Sequence, residues 1–325
     1  HIMINIYQTD IETNIMQKIT EIKKGSWINM TNPTEEEISN ICKTLMIQED
    51  FIRYSLDYEE KARIDYEEDD DTVLFILDVP IKEKEQEREI YTTMPIGIII
   101  VRDDFIITVS LRSLELIEDF ELGKVKGFAT YKKSRFILQL MYKISSNYLN
   151  SLQLINKETE IAESSLKKSM HNEELLKLLD LEKSLVYITT SLRANEAVME
   201  RTVKIKNIKL YEDDEDILED AIIENKQAIE MSKIYTDVLN SSMDAYSSVI
   251  SNNLNETMKL LTSITIIISI PTLIASLWGM NVDVPFEITK YGFWILCAIA
   301  IGVTALAIIL LNKKGLLGGK NVNSK

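Results

Sequence analysis

Histidine, cysteine, proline and glycine are all scarce in this sequence, and each shortage removes a class of function. The 325 residues include 2 histidines, His1 and His171, so a mechanism built on a histidine base has one internal candidate. The 2 cysteines, Cys42 and Cys297, lie far apart and form neither a disulfide framework nor a zinc motif. None of the 10 glycines falls in a G-x-x-x-x-G-K-[ST] or G-x-G-x-x-G pattern, so no nucleotide cofactor is expected. Any transport then has to run down a gradient. No nucleophile and base pair up either, which makes an enzyme the least favoured reading.

Positive charge is also short, with 36 Lys+Arg against 51 Asp+Glu and a net charge of −15. The imbalance is uneven. Residues 255–325 contain only the acids Glu256, Asp283 and Glu287 against six lysines, which leaves 48 acids and 30 bases, net −18, in residues 1–254. Such a surface repels nucleic acid and gathers cations. At the start, residues 1–2 (His-Ile) read as a cloning remnant ahead of a natural start at Met3.

What the C-terminal part does have is two long uncharged runs, residues 260–278 and 291–311, of 19 and 21 positions. Each is close to the ~20 residues a helix needs to cross a bilayer. The loop between them, residues 279–290, is too short for a domain, so the two form a transmembrane hairpin with both chain ends on one side. Lys259 precedes the first span, and Lys313, Lys314, Lys320 and Lys325 follow the second in a basic tail, residues 312–325. The positive-inside rule therefore puts both termini in the cytoplasm of a cell (inner) membrane protein. Trp278, Tyr291 and Trp294 sit where an outer aromatic belt belongs, and the lack of a signal peptide agrees with this orientation.

The first span carries hydroxyls at Thr262, Thr265, Ser269, Thr272 and Ser276, spaced by three and four and therefore on one helix face. Extended backwards, the same stripe reaches Met258 and Asn255. One or two such hydroxyls commonly bond the preceding turn or a neighbouring helix. Five in line, continued by an asparagine, point instead to a water-filled path, which two helices per chain can enclose only in an oligomer. Pro271 lies inside the span and frees a backbone carbonyl.

The part before the membrane reads in three pieces. Residues 3–130 form an α/β domain, with strands expected at Met3–Tyr7, Trp27–Met30, Val73–Val79, Ile96–Val101 and Phe105–Ser110. In the same stretch, Asn32-Pro33-Thr34-Glu35-Glu36-Glu37 is a helix start with a Thr-x-x-Glu capping pattern. Residues 131–210 form a helical hairpin broken near His171-Asn172, and residues 211–259 a stalk helix beginning near Asp216. Ile222, Ile229, Tyr235, Val238, Met243, Tyr246 and Val249 give the stalk a coiled-coil-like rhythm, and neither proline nor glycine separates it from the first span. From Asp216 to Trp278 such a rod is about 95 Å long at 1.5 Å per residue. The fold class expected is an α+β membrane protein, with an α/β/α head, a helical hairpin and a stalk running into the first of two C-terminal transmembrane helices.

Five acids stand in succession at Glu67–Asp71 and again at Glu212–Asp216. Most such runs are solvated loops or helix starts. In a symmetric oligomer they repel their copies unless a divalent cation bridges the carboxylates, which makes metal a conformational ligand.

The first span ends in Pro271-Thr-Leu-Ile-Ala-Ser-Leu-Trp-Gly279-Met280-Asn281, preceded by Asn255-Glu-Thr-Met258-Lys and followed by Val-Asp-Val-Pro-Phe and Tyr291-Gly-Phe-Trp. Over essentially the whole chain this resembles the CorA family of magnesium channels, whose hallmark is Gly-Met-Asn at the mouth of the first of two C-terminal helices. The resemblance implies a homopentameric funnel in the membrane that passes divalent ions, Mg2+ and also Co2+ or Ni2+. It implies that Gly279, Met280 and Asn281 form the outer selectivity filter and that Asn255, Met258, Thr272 and Ser276 face the pore. It further implies that Asp71 and Asp220 hold regulatory Mg2+ between subunits. The outer loop departs from the best-known members in its Val-Asp-Val-Pro-Phe-Glu, so the placing of the acids Asp283 and Glu287 stays open. An amide ring suits Mg2+, which gives up its inner water reluctantly and can be selected while hydrated. Standing alone, Asn281 would read as a helix C-cap. Two other functions compete, a ZntB-like zinc transporter, with which the scarcity of His and Cys fits poorly, and a membrane-anchored sensor or scaffold that conducts nothing.

Overall fold

The β-branched runs pair into one mixed sheet. The computed structural model describes residues 4–67, 71–85, 88–169, 172–202, 212–285 and 290–317. Their strands are β1 (Ile4–Thr9), β2 (Met16–Ile19), β3 (Ser26–Thr31), β4 (Arg63–Glu67), β5 (Thr72–Glu85), β6 (Arg88–Val101) and β7 (Phe105–Ser110). The order across the sheet is β2-β1-β3-β7-β6-β5-β4, with β3 and β7 parallel and every other pair antiparallel. The five expected strands are all present, β7 over the same residues as expected, while β5 and β6 extend into a long hairpin. β2 and β4 were not expected. Both lie at sheet edges, where Met-Gln-Lys-Ile and Arg-Ile-Asp-Tyr-Glu depend on a neighbour for their pairing rather than on their own composition.

Helices cover both faces of the sheet. On one face, α1 (Glu35–Leu45) and α2 (Glu49–Tyr54) place Ile38, Ile41, Leu45 and Ile52 against Ile28, Met30, Leu74, Ile76, Ile99 and Ile107. Helix α1 begins as its sequence dictates. Thr34 caps it, its backbone N–H donating to Glu37 Oε2 at 2.8 Å while Glu37 N–H donates to Thr34 Oγ1 at 3.3 Å. After α3 (Glu115–Glu121), the long helices α4 (Lys133–Ser169) and α5 (Asn172–Thr202) form the helical hairpin on the opposite face. Trp27 there stacks on Tyr7 and meets Phe136 edge-on, with ring centroids 5.1 Å apart in both pairs.

A polar joint fastens the hairpin to the sheet. Asn195 of α5 serves both backbone groups of Asp78 on β5, accepting from its N–H at 2.9 Å and donating to its carbonyl at 2.8 Å. Tyr148 of α4 donates to the same carbonyl at 3.0 Å. The Asp78 side chain is buried beside Ser191, and burial pushes its carboxyl up to about 6.

Helix α6 runs unbroken from Glu212 to Trp278, four residues earlier at its start than the sequence suggested, with Pro271 inside it. Up to Asn240 it belongs to the same compact unit as the sheet and hairpin. Its buried seam there is Leu218, Ala221, Asn225, Ala228, Ser232 and Leu239, not the expected apolar series, since Ile222, Ile229 and Tyr235 are half-buried and Val238 is exposed. Small residues let α6 approach the hairpin closely and trade side-chain hydrogen bonds for bulk. Ser145 Oγ donates to the Ala221 carbonyl at 3.3 Å, and Asn225 Nδ2 to the Leu192 carbonyl at 3.0 Å. The second unit, residues 241–325, holds the rest of α6 and α7 (Gly292–Lys313), both long and apolar enough to cross a membrane.

Candidate ion pathway and metal-binding residues

Within the membrane segment, burial divides α6 into two sides. Ser263 is buried, and Ile267, Ile270, Pro271, Ile274 and Trp278 are half-buried, all spaced by three and four on one face. Helix α7 answers with a half-buried stripe of Leu296, Ala300, Thr304, Ala307 and Leu311. These are the sides that the hairpin turns inward. Thr262, Thr265, Ser269, Thr272 and Ser276 are all exposed and lie on the other side of α6, roughly 170° from the half-buried stripe at 100° per residue. Asn255 and Met258 are exposed on the same line. Thr265, Ser269 and Thr272 each donate to the carbonyl four residues back, at 2.8, 2.7 and 2.9 Å. Their lone pairs remain open to whatever covers this face.

The loop with the Gly-Met-Asn motif is tied to the helix that precedes it. Gly279 N–H still bonds the Ala275 carbonyl at 3.0 Å, which carries the helical ladder one residue past Trp278. The indole Nε1 of Trp278 then donates to the Pro285 carbonyl at 3.2 Å, closing the segment that contains Met280, Asn281 and Asp283. All three side chains are exposed. Neither Gly279 nor Asn281 has positive φ, so Asn281 does not act here as a left-handed C-cap. Glu287 lies outside the described residues.

The two regulatory candidates are exposed carboxylates of the first unit. Asp71 ends the β4–β5 connection with φ 45°, a conformation aspartate tolerates. Its carbonyl accepts from Arg102 N–H at 3.0 Å, and its Oδ1 accepts from the Tyr66 hydroxyl at 3.2 Å. The acids between Glu67 and Asp71 are outside the described residues. Asp220 projects from α6 into a cleft of about 800 Å3 lined also by Glu115, Asp119, Lys124, Lys126 and Lys143. Asp119 holds Lys143 at 2.7 Å and Lys124 at 3.1 Å, and these two ammonium groups keep its carboxyl below the usual carboxylate range. Among the described residues no group of three or more His, Cys, Asp or Glu side chains gathers around one point.

The second acidic run behaves differently. Asp214 is fully buried and accepts from Arg135 Nε at 2.8 Å, with Asp213 3.5 Å from the same guanidinium. Part of Glu212–Asp216 is therefore a structural ion pair that anchors α6 to α4. Sequence reasoning missed this pair, because Arg135 lies 79 residues away from Asp214 in the chain. Ser263 was missed as well. It interrupts no pattern in the sequence and is singled out only by its burial.

A sequence model of the family described as "CorA-like Mg2+ transporter protein" matches residues 23–314. The chain belongs to that family. As a member of the CorA-like family it is a membrane transporter of divalent metal ions and not an enzyme. The cobalt/magnesium transport protein CorA of Methanocaldococcus jannaschii is 29% identical over 300 residues, covering 89% of this chain and 90% of that protein. The complete structure of the CorA magnesium transporter from the same organism superposes with a TM-score of 0.79 at 26% identity, over 95% of this chain and 97% of that one. The ZntB cytoplasmic domain from Vibrio parahaemolyticus shares the fold alone, with a TM-score of 0.60 at 13% identity over 76% of this chain and 98% of that one.

Proposed function

We propose that this member of the CorA-like family is a passive channel that conducts hydrated Mg2+, with Co2+ or Ni2+ as further ions, and that cytoplasmic Mg2+ closes it. The observation that carries this reading is the two-sidedness of α6. Its hydroxyl stripe is exposed on the side away from α7, which leaves it free to line a path shared by several copies. Five copies around an axis, as the family resemblance implies, would set Thr262, Thr265, Ser269, Thr272 and Ser276 along a water-filled path, with Met258 and Asn255 continuing it.

Asn281 of each copy would contribute to an amide ring at the outer entrance, held in place by the Trp278–Pro285 tie. Such a ring hydrogen-bonds the waters of the ion without stripping them, and Asp283 and Glu287 nearby raise the local cation concentration. Asp71 of one copy and Asp220 of the next would share a regulatory Mg2+. Binding of Mg2+ there favours the closed ring, and its loss lets heads of net −18 separate. Both termini lie in the cytoplasm in this reading. The zinc reading draws on a likeness that is one of fold alone, and the scaffold reading leaves the hydroxyl stripe without a role. The deciding experiment is uptake of Mg2+ into liposomes containing only this protein. Uptake above that of empty liposomes, blocked by Mg2+ on the regulatory side, supports the channel, and no uptake from well-assembled oligomers refutes it.

A further inference from the structure

The membrane segment of α6 has one fully buried polar side chain, Ser263, 1% exposed on a helix otherwise open to its surroundings. Its hydroxyl does not bond back to its own helix, as Thr265, Ser269 and Thr272 do. It donates to the backbone carbonyl of Leu316 at 2.9 Å, 53 residues along the chain. That carbonyl is aimed by the end of α7. Gly315 turns the chain at φ 67°, Gly315 N–H bonds the Asn312 carbonyl at 2.9 Å, and Leu316 N–H reaches back to Leu311 at 3.0 Å. This is a glycine-dependent helix terminus that spends its carbonyls inwardly and presents the next one sideways. Leu316 and Leu317 are half-buried, so the segment just past α7 lies on the inward side of the hairpin.

The geometry points to Ser263 as a positioning residue, a latch that fixes the end of α7 to α6 and so holds the pore-lining face of α6 in its closed placement. The assignment rests on the channel reading above. Ser263 lies across α6 from the hydroxyl stripe, so α7 supports the stripe from behind, and the latch sets the rotation and height of that support. It also fixes where Lys313 and Lys314 stand relative to Lys259. Ser263 is shielded from water, so an unmade hydrogen bond there finds no solvent to replace it, and the serine donor and the carbonyl are best satisfied by one another.

The test uses the full chain in liposomes, comparing wild type with Ser263→Ala, which removes the donor, and Ser263→Thr, which keeps it. Hydrogen exchange at residues 314–317 reads the latch, and the Mg2+ uptake that persists at saturating internal Mg2+ reads its effect on closure. Ser263→Ala is expected to raise both by about five- to tenfold, the worth of one hydrogen bond, and Ser263→Thr to return both towards wild type. Unchanged exchange and unchanged residual uptake in Ser263→Ala would overturn the assignment, as would a threonine variant no better than alanine. If wild type itself carries no Mg2+, the channel reading fails, and the exchange comparison alone then decides whether the latch exists.

Discussion

The indole of Trp278 donates to the carbonyl of Pro285 across the segment that contains Asn281, so the last residue of α6 fixes the loop that follows it. Asn281 has no hydrogen bond of its own to another described residue, and its placement depends on that tie. Replacing Trp278 with Phe keeps an aromatic ring and removes the donor. Mg2+ uptake by Trp278→Phe should fall by up to about tenfold, whereas Asn281→Ala should lose discrimination against monovalent ions altogether. Normal uptake and selectivity in assembled Asn281→Ala oligomers would remove Asn281 from the entrance.

The two sides of α6 make opposite forecasts for labelling. After Cys42 and Cys297 are replaced by alanine, single cysteines at Thr265, Ser269 and Thr272 should react with small aqueous thiol reagents. Cysteines at Ile267 and Ile274, on the half-buried side, should stay inert. Equal reactivity on both sides, or none at the three hydroxyl positions of a conducting protein, would return the stripe to helix packing.

Asp71→Asn with Asp220→Asn should leave uptake intact while moving half-inhibition to at least about tenfold higher internal Mg2+, since each bridge acts by favouring the closed state. A full internal titration with unchanged midpoint would place the sensor elsewhere. The run at Glu212–Asp216 is a poor substitute, because Asp214 is engaged with Arg135.

Asp78 gives a pH dependence of known sign. Burial raises its carboxyl to about 6 in the folded protein, so the folded state holds the proton more tightly than the unfolded state. Its contribution favours folding at low pH and is lost as pH climbs from about 4 through 6, for a total of about 3 kcal/mol. Thermal unfolding of the full chain in detergent should therefore show a larger loss of stability between about pH 4.5 and about pH 7.5 for wild type than for Asp78→Asn. Parallel curves for the two proteins would mean that the carboxyl is not titrating in this interval.

Local chemistry was legible in the sequence alone. The Thr34–Glu37 capping box, the β7 run, the two membrane spans and the hydroxyl stripe all follow from residues within a few positions of one another, where spacing already decides which side chains share a face, whereas His171, where the hairpin break was expected, lies outside the described residues. The Gly-Met-Asn motif added the family. Partners distant in the chain were decided only by tertiary structure. The edge strands β2 and β4 take their pairing from neighbours, and the α6 seam is small and polar because α4 offers it the Ser145 hydroxyl and α5 the Leu192 carbonyl. Asp214 is buried rather than solvated because Arg135 meets it. Ser263 is one serine among many until the fold sets it against the carbonyl of Leu316. Periodicity records which way a residue faces, whereas a hydrogen bond or ion pair across 50 or more residues also needs the partner's position, and only packing supplies that.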